Sequence, residues 1–194
     1  MPNLSQIKKN TFWLILFQLT KMVFPFLILP ILTRRLSVEV YGNLTYVKTV
    51  MNFLQIFVDF GFMLSATKEL AKINHQKADH TKFEQVITNT LFARILLGLL
   101  GLVIVLVLCI FIPILHQNPL FTLASYFAVF LSIFLFDFLF RGFEIIHIMT
   151  IRFILMKTVS FFLTIFFVQQ DNQLLYIPLF DIFSSILAII LVSF

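Results

Sequence analysis

Six long apolar stretches, separated by short polar breaks, set the pattern of this chain. They run over Phe12–Leu32, Asn43–Leu64, Val86–Leu115, Leu120–Phe140, Ile145–Val168 and Leu174–Phe194. Each approaches or exceeds the roughly 20 mainly apolar residues that an α-helix needs to cross a hydrocarbon core. The third is the least interrupted, with no charge from Ile95 to Leu115, whereas Arg152 and Lys157 break into the fifth. Pro113 and Pro119 bracket the turn His116-Gln117-Asn118, and Gln169 to Gln173 is a polar break too short for a domain. The pattern predicts an all-α polytopic membrane protein of about six transmembrane helices. Short connections make consecutive helices antiparallel neighbours. The one sizeable connection, Ala66–Gln85, is amphiphilic and charged (Lys68, Glu69, Lys72, Lys77, Asp79, Lys82, Glu84) and fits a surface helix.

Polar residues inside the spans are the informative ones, because an ionised side chain at the bilayer centre costs about 2.5–3.5 kcal/mol even on insertion scales. In the second span Thr45, Lys48, Asn52, Gln55 and Asp59 follow steps of 3, 4, 3 and 4, which places all five on one helical face. Val50, Phe53, Leu54 and Phe57 form an apolar face opposite, suited to lipid. The first span repeats the theme with Thr11, Gln18, Lys21 and Pro25. Lys21 lies about 14 Å along the helix from Phe12 at 1.5 Å per residue, near midplane. Pro25 and Pro30 each remove a helix hydrogen bond, so the outer half of this helix is expected to bend or break. The fifth span carries Lys157, Ser160 and Thr164, and Asp181 sits well inside the sixth.

Several of these charges have two readings. Lys157, Asp137, Asp59, Lys48 and Arg94 can snorkel to a head-group boundary, and Lys21 and Asp181 can satisfy one another as a structural pair. Alternatively, Lys21, Lys48 and Arg94 line a hydrated cavity. Such a cavity is cationic and suits a phosphate- or pyrophosphate-bearing ligand better than a cationic drug.

Composition agrees with a bilayer as solvent. Sixty per cent of residues are hydrophobic, only 12% are charged and the mean hydropathy is +1.03. An average soluble chain carries roughly a quarter charged residues. Phenylalanine occurs 27 times, against one Trp and four Tyr. The net charge of +5 reflects topology rather than nucleic acid. Eight Lys and Arg (Lys8, Lys9, Lys68, Lys72, Lys77, Lys82, Arg141, Arg152) fall on one side and two (Arg34, Arg35) on the other. That bias places both termini in the cytoplasm. The apolar stretch after Lys8 and Lys9 is too long for a signal peptide and lacks a small-x-small cleavage site.

No catalytic constellation is visible. The single cysteine, Cys109, lies in an uncharged run and allows no intrachain disulfide. His75, His80, His116 and His147 are scattered, without metal-ligand spacing, and there is no glycine-rich phosphate loop, nucleophile elbow or Asp-x-Asp pair. Neither an enzyme, a cofactor nor a metal is expected.

Three segments resemble the polysaccharide/O-antigen flippase family of the MOP exporter superfamily. Leu29-Pro30-Ile31-Leu32-Thr33-Arg34-Arg35-Leu36, followed by Tyr41-Gly42, is similar to its LP-x-LTR-x-L…YG signature, with Ser37 where Gly is frequent. Asp59-Phe60-Gly61-Phe62 continuing to Ser65-Ala66-Thr67-Lys68-Glu69-Leu70-Ala71 is similar to DFGF…SAT-[RK]-E-x-A. Phe140-Arg141-Gly142-Phe143-Glu144 is similar to FQG-x-E, with Arg141 in place of Gln. The resemblance implies export of polyprenyl-pyrophosphate-linked oligosaccharide, an O-antigen or capsule unit, across the bacterial inner membrane by alternating access between two six-helix lobes. Residues 1–194 match the N-terminal lobe, so the chain is expected to be a fragment or to need a second polypeptide. The implied site consists of Lys21 and Lys48 on the pyrophosphate, Arg94 as a further cation, and Gln18, Asn52 and Gln55 as hydrogen-bonding partners. Membrane lipids are implied partners and polysaccharide polymerase machinery a further candidate, without nucleic acid. Alternative readings are a multidrug exporter of the same superfamily, with Asp181 as its key carboxylate, and a non-transporting remnant or partner subunit.

Overall fold

The computed structural model describes the backbone of residues 4–76 and 80–193 and the side chains of residues 6–73 and 81–190. Among these, the chain forms nine α-helices and two 3-10 turns, with no strand. The helices are α1 (Leu4–Arg35), α2 (Val38–Asp59), α3 (Phe62–Gln76), α4 (His80–Phe111), α5 (Pro113–Gln117), α6 (Pro119–Leu131), α7 (Asp137–Gly142), α8 (Ile146–Phe167) and α9 (Tyr176–Ser193). Six stretches are long and apolar enough to cross a membrane: Gln6–Arg35, Val38–Ile73, Thr81–Phe111, Pro119–Gly142, Ile146–Phe167 and Asp171–Ile190. The protein is thus a multi-pass helical membrane protein.

Local chemistry explains the boundaries. Ser37 caps α2 by accepting the Val40 N–H, with Glu39 in the first turn. Pro113 and Pro119 open α5 and α6, where a missing N–H costs nothing. Phe60 (φ 31°) and Gly61 (φ 76°) are both left-handed, and this pair separates α2 from α3. The expected surface helix is therefore α3 plus the first turns of α4. Its Lys77 and Asp79 lie outside the described residues, as do the side chains of His75 and His80.

Three expectations change. First, α1 runs unbroken through Pro25 and Pro30, each of which leaves one carbonyl of the preceding turn without its helical donor. Second, α1 packs along α8 far more than along its sequence neighbour α2. Although the Leu36-Ser37 turn joins them, α1 and α2 pack on one another only sparsely. Arg35 donates to the Ile165 and Val168 carbonyls, and the Ser37 N–H donates to Asp171 at 2.8 Å, which pins this end. At the other end Thr150 binds the Trp13 carbonyl (3.2 Å) and Gln6 binds Glu144 (3.0 Å), which keeps α1 on α8. Third, α2 has three faces rather than two. Leu44, Val47, Met51, Leu54 and Val58 are buried against α4 and α6. Phe53 and Ile56 are exposed as lipid-facing residues are, and the polar stripe lies between these surfaces.

The core lies at α2, α4, α5, α6 and α9, where Val47, Val105, Leu115, Tyr126 and Ile177 are fully or nearly fully buried. Gly98 and Gly101 let α4 approach α6. The Tyr126 hydroxyl donates to the Gly98 carbonyl, and a Cβ on Gly101 would collide with that hydroxyl. Exposed Phe, Leu, Ile and Val side chains cover much of the outer surface, as a lipid solvent requires.

A candidate cationic ligand site

The fourth span is broken. After α6, Ser132–Leu135 tightens into a 3-10 turn, and Phe136 is left-handed (φ 51°) before α7 begins. A broken backbone at membrane depth must be satisfied within the protein. Leu139 donates its N–H to the Phe136 carbonyl, so the Leu135 carbonyl loses its helical donor. Arg152 supplies one at 2.5 Å and also pairs with Asp137. Arg94 acts two residues earlier, donating to the Ile133 carbonyl (3.4 Å) and pairing with Asp59 (2.6 Å). Both arginines are buried, at 4% and 6% exposure. Gln55 extends this network, donating to Asp59 (3.2 Å) and accepting from Ser132 (3.0 Å).

Snorkelling therefore does not describe Arg94, Asp59 or Asp137, which are paired inside the helix packing. Asp181 does not pair with Lys21. It accepts from Ser160 (2.7 Å) and faces the Lys157 ammonium at 3.6 Å, across the α8–α9 interface. Each of the three aspartates within the long apolar stretches read from the sequence (Asp59, Asp137, Asp181) thus has its own cation, whereas Lys21, Lys48 and the adjoining Arg141 do not share one of these pairs. None of these three has a carboxylate within ion-pair distance among the described residues.

Two of the leftover cations, Lys21 and Arg141, share the Phe17 ring on the α8-facing side of α1. The Lys21 ammonium sits 4.7 Å from the Phe17 ring centroid and 5.9 Å from that of Phe153 on α8, held by ring quadrupoles. The Arg141 guanidinium shares Phe17 at 5.7 Å. Lys21 lies within electrostatic reach of Asp137, Arg141, Asp59 and Lys157, and Lys48 within reach of Asp181 and Lys157. Lys48, Thr45 and Asn52 are exposed along α2. Gln18 is exposed too, in a shallow and otherwise mostly apolar groove along α1 with Leu14, Ile15 and Met22. Of the six site residues expected from sequence, Lys21, Lys48, Gln18 and Asn52 are exposed. Arg94 and much of Gln55 are engaged in holding the break in the fourth span.

Motif residues occupy joints of this framework. Arg35 ties α1 to the end of α8, Asp59-Phe60-Gly61 forms the α2–α3 break, and Gly142 packs directly on Leu70 of α3. Glu144 (φ 60°) turns the chain into α8 and binds Gln6. A family model described as polysaccharide biosynthesis protein matches residues 7–194. The chain belongs to this family. Two curated relatives carry the name "Putative O-antigen transporter". The one from Shigella dysenteriae is 26% identical over 168 residues, covering 87% of this chain and 41% of the relative. The one from Escherichia coli (strain K12) is 24% identical over 172 residues, covering 89% of this chain and 41% of the relative. The chain spans about two fifths of the length of these curated relatives. No solved structure matches it.

Proposed function

We propose that this chain forms one lobe of a flippase that moves a polyprenyl-pyrophosphate-linked oligosaccharide, an O-antigen or capsule unit, across the bacterial inner membrane by alternating access. The observation that supports the reading is a charge surplus: Lys21 and Lys48 have no ion-pair partner among the described residues, while Asp59, Asp137 and Asp181 are each paired with another cation. Intramembrane cations of this kind mark ligand pathways. The doubly charged pyrophosphate diester of a lipid-linked sugar suits them, and Gln18 and Asn52 offer hydrogen bonds beside it. The sparse packing of α1 on α2 supports a cleft between their polar stripes, which a second lobe would close. In the orientation expected from the Lys and Arg bias, that cleft opens towards the cytoplasm, where the cargo is loaded. A cationic drug as cargo is disfavoured, because Asp181 is already occupied by Lys157 and Ser160. No covalent step is invoked. Binding energy for the two alternating states does the work.

The test is Lys21→Ala and Lys48→Ala, each introduced into the full-length protein that carries this chain. Losing one charge-assisted contact, worth about 1.5–3 kcal/mol, is expected to weaken cargo binding roughly 10- to 100-fold. Surface polysaccharide should fall accordingly while the protein level in the membrane stays constant. Normal polysaccharide in both variants would overturn the assignment.

A further inference from the structure

We infer that Lys157 is a third cation of the ligand site and that Asp181 is its resident counter-ion, displaced when the anionic head group of the cargo arrives. The inference rests on the reading above and extends it to residues that the polar stripes of the first two spans do not include. Lys157 lies on α8, one turn beyond the Phe153 ring that the Lys21 ammonium approaches, and its charge is felt at both Lys21 and Lys48.

The three ion pairs of the spans differ in kind. Arg94 and Arg152 are buried and each also donates to a carbonyl of the broken fourth span, so neither can leave without exposing backbone. Lys157 is 35% exposed and makes no hydrogen bond to backbone. Its separation from Asp181, 3.6 Å, lies beyond ordinary hydrogen-bond range, against 2.6 Å for Arg94 and Asp59. Asp181 does not depend on Lys157 for its position. Ser160 donates to the same carboxylate oxygen at 2.7 Å, and Lys48 contributes its field from α2. The carboxylate can therefore stay in place while the ammonium changes partner.

Lysine chemistry favours such an exchange. An ammonium is a point charge with three rotating donors on a flexible stem, and it can turn from a carboxylate to a phosphate without re-aiming a planar fork. The cluster of Lys21, Lys48, Lys157 and Asp181 carries a net charge of +2, raised to +3 by Arg141 beside Phe17, a surplus that suits a doubly charged pyrophosphate diester. An entering head group has to compete with Asp181 for Lys157. That competition lowers its affinity and speeds its release, which suits a carrier that must let go.

The experiment measures binding of farnesyl pyrophosphate, with farnesyl monophosphate and inorganic pyrophosphate for comparison, to the purified full-length protein in detergent. The inference expects Asp181→Asn to bind farnesyl pyrophosphate about 5- to 10-fold more tightly than the parent, a modest coupling between two sites. It expects the double variant Lys157→Gln/Asp181→Asn to lose that gain. Neither variant leaves an unpaired carboxylate among the helices, and Asp181→Ser stands in if Asp181→Asn does not accumulate. An Asp181→Asn protein that binds no tighter than the parent overturns the inference. So does a gain that persists undiminished in the double variant, since Asp181 would then act through its field alone. Free pyrophosphate binding as tightly as the farnesyl ester would also overturn it, by assigning the cluster to a soluble anion instead of a lipid head group. If Lys21→Ala and Lys48→Ala bind like the parent, the functional reading fails as well. If those two variants weaken binding and the Asp181–Lys157 cycle is flat, only the role of Lys157 falls.

Discussion

Removing Asp59 should loosen the helix packing through a single arginine. Arg94 is 4% exposed, its Nη2 lies 2.6 Å from Asp59, its Nη1 reaches the Ile133 carbonyl at 3.4 Å, and its Nε has no partner. Substituting Asp59→Leu leaves this guanidinium charged, enclosed and held by one long hydrogen bond. Breaking a buried ion pair from one side costs about 3–5 kcal/mol. Asp59 itself is 29% exposed, so water or head groups can reach part of the vacated space, and we expect a loss near the lower end, about 3 kcal/mol. Arg94→Leu is expected to cost a similar amount, because it strands the Ile133 carbonyl in the broken fourth span as well as Asp59. The double variant Asp59→Leu/Arg94→Leu should recover most of either loss. An apolar pair replaces a costly ionic one, and only the Gln55 and Ile133 contacts, at about 1 kcal/mol each, are forfeited.

The chain supplies its own reporter. Cys109, the single cysteine, is partly buried on α4, and a thiol-reactive fluorophore gains access to it as the protein unfolds in detergent. At roughly 2–4 °C per kcal/mol for a chain of this size, the Asp59→Leu loss corresponds to a drop in Tm of about 6–12 °C. The reasoning is refuted if Asp59→Leu melts within about 2 °C of the parent. It is also refuted if the double variant falls by the sum of the single losses, since two residues in one pair must couple.

Two further substitutions probe packing. Gly142→Ala would place its Cβ 2.6 Å from the Leu70 Cβ, an atom at the root of a side chain that cannot swing aside, so α3 and α7 must separate. We expect a cost of about 1–3 kcal/mol in the same melting assay, unrelieved by Leu70→Ala because that variant keeps the offending Cβ. Thr164→Val should be neutral or mildly stabilising, since the Thr164 hydroxyl is buried at 1% exposure without a hydrogen-bond partner, and a fall in Tm beyond about 3 °C would count against it.

The six spans were legible because length and apolarity are sufficient signals for a helix in lipid, and all six match the predicted stretches within a few residues at most ends. The stripe on α2 was legible because a helix repeats every 3.6 residues whatever it packs against. The break in the fourth span was not legible. The run Leu131-Ser132-Ile133-Phe134-Leu135-Phe136-Asp137 contains neither Gly nor Pro, and its 3-10 turn survives because Arg94 and Arg152 arrive from helices 39 and 17 residues away in sequence. The choice of Lys157 over Lys21 as partner of Asp181 was hidden for the same reason: it follows from α8 packing on α9, which no local pattern encodes. A partial signal did exist. Three deep aspartates standing against more numerous deep cations implied that most charges would be matched in pairs and that only the remainder could serve a ligand.

That remainder separates two kinds of residue in this family. The motif positions Arg35, Asp59, Gly61, Gly142 and Glu144 sit at joints, where they tie helix ends, set left-handed turns or allow close backbone approach. A joint tolerates little change because its partner is the protein's own backbone. Lys21, Lys48 and Lys157 lie outside the motifs, exposed or half-exposed on three helices. Under the proposed function their partner would be the anionic head group of the cargo, so that the fold and the binding of cargo would rest on different residues. Substitutions at the joints should lower protein abundance, while substitutions at the lysines should leave abundance intact and alter transport.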